Sequence, residues 1–379
     1  MSKGGMPAVP APVLALLSAA LFGAGTPLAK LLTGSLDPWL LAGLLYLGSG
    51  LGLGLVRLAT RGRVAETPLA RADLPRLAAV ILAGGVAAPV LLMAGLARSD
   101  ASSASLLLNL EGLATLAIAW LVFRENVDRR IFAGAMAILA GAVVLSWPGG
   151  GGGVGLDGGG AVRLDAGALL VAAACLGWGI DNNLTRSLSA ADPMQVAMIK
   201  GLVAGTVNLG LGLAIGAASP GFAMPDLATG AAAMAVGVLG YGVSLTLYML
   251  ALRHLGSART GAYFSTAPFI GAALGIVLFD ETVSGRLLAA AGLMAFGVVL
   301  HLLEDHEHDH THEPLEHAHR HTHDEHHHHQ HAPGDPSGEP HAHSHRHAPL
   351  IHRHPHYPDL HHRHGHGHRP TDDTGEARR

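Results

Sequence analysis

Between residues 12 and 303 the chain passes through about ten apolar stretches, each near the ~17–25 residues that cross a bilayer, with little polar sequence between them. They lie near 12–32, 38–58, 74–97, 101–123, 129–147, 166–188, 193–216, 226–252, 258–279 and 284–303. A soluble globule needs polar helix faces to coat its outside. This chain, 49% hydrophobic and 14% charged, has too few of them. The expected fold class is therefore an all-α membrane protein of about ten transmembrane helices. The first stretch is expected to be a retained helix rather than a cleaved signal. Lys30 and a short loop follow it, the next stretch starts at once, and no cleavage pattern intervenes.

Charge sets the expected orientation. The N-terminus and the loops after spans two, four, six and eight carry twelve Lys and Arg, and the opposite loops carry only Arg98, Arg163 and Arg286. Positive loops stay inside, which predicts a multi-pass protein of the cell (inner) membrane with both termini cytoplasmic. The single cysteine, Cys175, excludes an intramolecular disulfide framework and a Cys-based zinc site. No nucleotide-binding loop or triad-like constellation points to an enzyme, and no nucleic-acid partner is expected.

The apolar body repeats itself. Phe123, Glu125, Val127, Arg130, Gly141 and Val143 match Phe279, Glu281, Val283, Arg286, Gly297 and Val299 at an offset of 156, and Asp37-Pro38 matches Asp192-Pro193 at 155. The expected domains are a first repeat (1–147), a Gly-rich linker (148–165), a second repeat (166–303) and a tail (304–379). Five spans per repeat is an odd number, so the second copy must insert upside down. Such inverted repeats commonly bind substrate near the midplane between the halves.

The segment ASSASLLLNLEGLATLAIAWLVFRENVDRRIFAGAMAILAGAVVL, residues 101–145, resembles the end of an EamA repeat of the drug/metabolite transporter (DMT) superfamily, and 257–300 is its weaker second copy. The resemblance covers the body and none of the tail. It implies a ten-helix transporter, often an exporter of amino acids or other small metabolites. That family commonly has a proline just after the fourth-helix glutamate. Here Gly112 stands in its place while the second copy keeps Pro268, so the first half is expected to be less kinked.

Ionisable groups within a bilayer are expensive unless paired or hydrated, so each is a candidate site. Glu111 sits in the middle of the fourth span, two residues from Asn109. Asp181 opens the triplet Asp181-Asn182-Asn183 in the sixth, and Lys200 lies in the seventh with Asn208 two turns on. Asp181 and Lys200 lie at similar depth, roughly 10 Å from one end of their helices at 1.5 Å per residue, and so could pair. The pair reads equally as a structural tie or as a charged wall for a zwitterion. Glu111 is the candidate proton-coupling carboxylate, set against the plainer reading of a glutamate bonded to backbone, Ser105 or Thr115. Tyr46, Trp178, Tyr241, Tyr248 and Tyr263 are candidates to line a cavity, whereas Trp39, Trp120 and Trp147 fall at expected interfaces. Pro27, Pro89 and Pro268 would loosen their spans. Gly48-x-x-x-Gly52, Gly201-x-x-x-Gly205 and Gly271-x-x-x-Gly275 read as close-packing faces.

The tail is a different object. It holds 25 of the 27 histidines, and with His neutral its charge is −7 against +3 for the body. Residues 306–331 and 341–366, aligned at an offset of 35, agree at 14 of 26 positions, Pro314-Leu315 with Pro349-Leu350 and Asp324 with Asp359 among them. It is a duplicated module. His-x-His in extended chain sets two imidazoles on one side, ~6.5–7 Å apart, and two such pairs supply the four nitrogens of a tetrahedral site. Candidate metal ligands are His306, His308, His310, His312, His317, His319, His321 and His323 in the first copy. In the second they are His341, His343, His345, His347, His352, His354 and His356. Zn, Ni, Co and Cu all suit imidazole, and no cofactor is required for transport itself. With so few apolar residues the tail is expected to be disordered without metal. Imidazoles titrating near ~6.5 also allow a pH sensor.

Two functions follow. The first is a secondary transporter of small polar, amino-acid-like metabolites, most simply an exporter, regulated by metal on its tail. The second is a divalent-metal (Ni, Co or Zn) transporter whose tail collects the ion. The spans offer isolated carboxylates, with His254 and His301 only at helix ends, and this favours the first. Expected partners are membrane lipid, a small-molecule substrate and divalent metal ions. A homodimer is also allowed.

Overall fold

The computed structural model describes residues 9–59, 71–123, 129–147, 165–186, 193–219, 222, 224–302, 307–312, 316–321, 341–346 and 350–355. For 186, 193, 252–254, 256–258 and the segments from 307 onward it describes backbone alone. Between Ala11 and Leu302 the described chain consists of helices and short turns. Its first members are α1 (Ala11–Lys30) and α2 (Pro38–Ala59). A third run joins α3 (Leu74–Val80), a π turn (Ile81–Ala87) and α4 (Ala88–Leu96). The fourth joins α5 (Ala101–Leu107) to α6 (Leu110–Leu121), and α7 (Arg129–Ser146) follows. After the linker come α8 (Ala166–Arg186) and α9 (Pro193–Ala217). Next are α10 (Leu227–Gly237), a second π turn (Val238–Val243) and α11 (Ser244–Phe264). The helical body ends with α12 (Ala267–Phe279) and α13 (Gly285–Leu302).

Nine of these runs, among the described residues, are long and apolar enough to cross a membrane, against the ten expected. The one left out is α8. Its 21 residues suffice in length, but Asp181, Asn182 and Asn183 in its last two turns lower its hydropathy. It nevertheless lies inside the bundle, packed against α4 and α6. The body is apolar on both sides: Leu41, Leu45, Leu92, Leu96 and Leu106 are buried, while Leu55, Leu82, Leu121, Val277 and Leu288 are exposed. An exposed leucine surface is stable only against hydrocarbon, and the protein is a multi-pass membrane protein.

With lipid as apolar as the core, helix association rests on close packing, and glycine supplies it. A Cβ at Gly50 would strike the backbone of Gly201 and Leu202, and one at Gly205 the backbone of Leu47, so α2 and α9 meet main chain to main chain. Gly48 lies against Met234, Gly271 against Gly23 and Ser105, and Gly275 against Ala101 and Ser102. Each of the three Gly-x-x-x-Gly faces thus meets a neighbouring helix. Similarly, α7 packs on α13. α1 lies against α11 and α12 in the way that α8 lies against α4 and α6.

The first half is interrupted, contrary to the expectation drawn from Gly112. The fourth run breaks at Leu108–Asn109, just before Glu111, without a proline. The carbonyls that the break frees find other donors: Asn109 Nδ2 donates to Leu106 O at 2.8 Å, and Cys175 Sγ lies 3.6 Å from Leu107 O. A second break, at Ser265–Thr266, precedes Pro268. The two breaks are 157 residues apart, and so are the starts of the two π turns.

In the tail, a disordered segment was the expectation, and the described backbone differs from it. It forms β1 (Glu307–His312), β2 (Glu316–His321), β3 (His341–Arg346) and β4 (Leu350–Pro355), with β1 antiparallel to β4 and β2 to β3. The period-two pattern of His-x-His is that of a strand, and ladder hydrogen bonds need no apolar core. His306, His323, His347, His356 and most of the linker 148–165 lie outside the described residues.

The α2–α9 contact yields a direct expectation. Gly205→Leu forces the two backbones apart and costs about 1–3 kcal/mol, seen as a lower unfolding temperature in detergent. Gly210→Ala, on the same helix with open space around it, leaves that temperature unchanged or raises it.

Candidate substrate site at the first π turn

A π turn widens the helix and leaves carbonyls without their usual partners, and in a bilayer each must be satisfied by protein. At the first π turn three side chains do this. Tyr46 Oη donates to Gly84 O at 2.9 Å, Trp178 Nε1 donates to the same oxygen at 3.0 Å, and Asn208 Nδ2 donates to Gly85 O at 3.1 Å. The two glycines also admit the neighbours. A Cβ on Gly84 would strike the Asp181 carboxylate, and one on Gly85 would meet Ala204.

That close approach sets Asp181 of α8 and Lys200 of α9 on either side of the turn, where Lys200 Nζ donates to Asp181 Oδ2. Thr185 Oγ1 donates to the other carboxylate oxygen at 3.0 Å. Asp181 is 3% exposed and Lys200 23%, so the acid is enclosed while the lysine side chain is only partly covered. Asn208 is fully buried, and its Oδ1 has no hydrogen-bond partner.

Glu111 belongs to an adjoining polar group. Its Oε1 accepts from Asn182 Nδ2 at 3.0 Å, and Asn182 Nδ2 also reaches Thr115 Oγ1 at 3.2 Å. The glutamate lies within electrostatic range of Asp181, Lys200 and Tyr241. Asn109, expected beside it, turns away to cap α5 and approach Met294. Of the six candidates, Glu111, Asp181, Asn182, Lys200 and Asn208 converge on the region around the π turn, and Asn109 supports the helix break instead. Ser105 Oγ has no partner in the structure and does not bond Glu111.

Aromatic rings continue from this region into the other half. Tyr46 and Tyr241 have ring centroids 5.9 Å apart, Phe22 lies 5.8 Å from Tyr241, and Phe264 lies between Phe22 and Tyr248 at 5.1 and 5.0 Å. Phe22 and Phe264 escaped the sequence reading, which weighed tyrosine and tryptophan alone. Tyr263 packs near Leu14, Ala15 and Ala251, apart from this row. His301 Nε2 meets Ile131 O at 3.0 Å, tying α13 to α7. Among the residues whose side chains are described, no three His, Cys, Asp or Glu gather into a metal-holding group.

A second polar assembly was also missed. At the far end of α1, Lys30 Nζ donates to Leu96 O at 2.5 Å and Ser99 O at 2.8 Å, capping α4. Asp280, in a left-handed conformation (φ 51°), turns the chain after α12 so that Glu281 accepts from Ala101 N at 2.6 Å and Ser102 N at 3.0 Å, capping α5. The loop between α4 and α5 is thereby clamped to α1 and α12. Burial, helped by the nearby Glu281 charge, raises the Asp100 carboxyl in that loop above its usual range, and Lys30 opposes the shift. Only the identity of Glu281 as a repeat position was readable in sequence; its contact is tertiary.

Removing one partner of an enclosed ion pair leaves a charge without compensation, at a cost of about 3–5 kcal/mol. Lys200→Met alone therefore destabilises the protein more than Lys200→Met combined with Asp181→Asn, measured by thermal unfolding in detergent. Equal losses in the single and double variants would contradict the pairing.

The chain is similar to known proteins over the same body. The EamA-like transporter family matches it twice, at residues 9–147 and 165–303. An uncharacterised transporter of Methanothermobacter thermautotrophicus is 29% identical over 278 residues, covering 69% of this chain and 77% of that one. A solved crystal structure superposes with a TM-score of 0.54 at 21% identity, covering 77% of this chain and 96% of the other, a likeness of fold alone. Matched twice by the family across most of its length, the chain is a membrane transporter and belongs to the EamA-like transporter family.

Proposed function

We propose that the protein is a secondary active exporter of small, polar, amino-acid-like metabolites, working in the inner membrane with both termini cytoplasmic. The observation that carries this reading is the enclosed set of opposite charges at the first π turn. A partly exposed lysine (Lys200) beside an enclosed carboxylate (Asp181), with the Asn208 amide oxygen lacking a hydrogen-bond partner, suits a ligand that itself bears both charges. Substrate carboxylate exchanges with Asp181 on Lys200, and Glu111, hydrogen-bonded to Asn182, carries the coupling proton.

The body works as two inverted five-helix repeats. Recurrence of the π turns and helix breaks at one offset supports this, as do the exchanged contacts of α1 and α8. Alternating access then rocks the halves about a site at discontinuous helices. The clamp of Lys30 and Glu281 closes the outer end.

The His-rich tail binds divalent metal, with Zn, Ni, Co and Cu as the candidates, and regulates export rather than feeding ions into the membrane. The second reading, a metal transporter with the tail as collector, draws on the 25 tail histidines.

Growth of a sensitive host decides between them, with full-length chain compared to one ending at Leu302 on panels of toxic amino-acid analogues and of Zn, Ni, Co and Cu. Analogue resistance survives truncation, and any metal phenotype is lost with the tail. Metal tolerance conferred by the truncated chain would overturn the ranking. In proteoliposomes, Glu111→Gln abolishes accumulation driven by a pH gradient while substrate exchange persists. Unchanged gradient-driven accumulation would remove Glu111 from the coupling step.

A further inference from the structure

The two copies of the tail module do not fold separately. Allowing for the 35-residue offset, β1 and β3 are the same part of the two copies, and so are β2 and β4. The ladders join unlike parts: β1 pairs with β4, and β2 with β3. Each ladder therefore takes one strand from each copy. Glu307 stands opposite Pro355 and Glu316 opposite Arg346, nine residues further along one strand line and nine back along the other. The two ladders thus share one alignment between the copies.

The register sorts the residues by face. In the first ladder His308 opposes His354 and His310 opposes His352, four histidines on one face. In the second, His317 opposes His345 and His319 opposes His343, again on one face, and His321 opposes His341 beyond them. At the alternate positions Asp309 opposes Arg353 and Glu316 opposes Arg346, so unlike charges are matched across the strands. A two-residue slip would break both matches, and a one-residue slip would send the histidines of the two strands to opposite faces.

We propose that the duplicated module builds two divalent-metal sites across its copies, one at His308, His310, His352 and His354 and one at His317, His319, His343 and His345. Resting on the reading that the tail binds metal, this says why the module is present twice. In each ladder one copy supplies two of the four opposed histidines, and the second completes the four that a tetrahedral ion takes. Opposed residues on such a ladder have Cβ atoms ~4.5–5.5 Å apart, close enough for one ion to be shared. Metal then ties the two copies together. The first site begins close to Leu302, the end of α13, whose neighbour His301 is held by Ile131 of α7.

The test uses the full chain in detergent and zinc as the probe, with bound metal counted after dialysis. The paired substitutions His308→Ala with His310→Ala, and His352→Ala with His354→Ala, each remove the same single ion, and all four together remove no more. Additive losses would mean that each copy binds alone and would overturn the shared sites, leaving metal binding itself intact. A full chain that retains no zinc would overturn both readings. As a second readout, spin labels at Thr311→Cys and Ile351→Cys, opposite one another in the register, converge to a single short distance when zinc is added. Labels that stay broadly separated with zinc bound would contradict the shared sites.

Discussion

In a bilayer, a backbone carbonyl freed from its helix has no water to turn to, and this obligation organises the centre of the protein. The first π turn frees the carbonyls of Gly84 and Gly85, and Tyr46 of α2, Trp178 of α8 and Asn208 of α9 are drawn in to meet them. Three helices from different parts of the chain are thereby fixed around one widened turn. Asp181 and Lys200 lie on two of those helices, so their pairing is a consequence of the same arrangement. The break before Glu111 obeys the same rule, with Asn109 and Cys175 serving its free carbonyls. The irregular backbone is where the helices are held together, and it is also where the polar groups collect.

The energetics of the surrounding bundle favour such a centre. Association by glycine contacts between α2 and α9 rests on shape rather than on expelled water, and it brings main chain against main chain where the two halves meet. A seam held by packing can rock without exposing a hydrophobic core to water, since its outside already faces lipid. The clamp on the loop between α4 and α5 is of another kind. Lys30 and Glu281 cap two helix ends with charged hydrogen bonds, and such bonds, unlike close packing, can be exchanged for bonds to water.

Much of the body was legible because hydropathy is additive along a chain. Among the described residues nine of the ten expected spans meet the length and apolarity of a membrane crossing, and α8 falls short through its polar triplet Asp181-Asn182-Asn183. The Asp181–Lys200 pair was also legible, since helix rise converts sequence position into depth. What escaped has a common cause. A π turn is one residue of slack in a helix with ordinary composition, and nothing in Ile81–Ala87 announces it. Asn109 lies two residues from Glu111 in sequence but faces another helix, because the break between them redirects the chain. Lys30 and Glu281 meet their partners only through tertiary contact. In the tail, the two-residue period of histidine was plain, but which strand pairs with which depends on the register between copies.

The central claim is that the polar set around the first π turn is where substrate binds. The most direct measurement is ligand protection of a cysteine introduced there: Asn182→Cys, exposed beside Glu111, in a Cys175→Ser background, challenged with a membrane-permeant thiol reagent. A transported zwitterionic amino acid should slow its modification while leaving a cysteine at Trp147, an exposed position at the end of α7, unaffected. If transported substrates protect neither position, or protect both alike, the site lies elsewhere and the account is wrong at its centre.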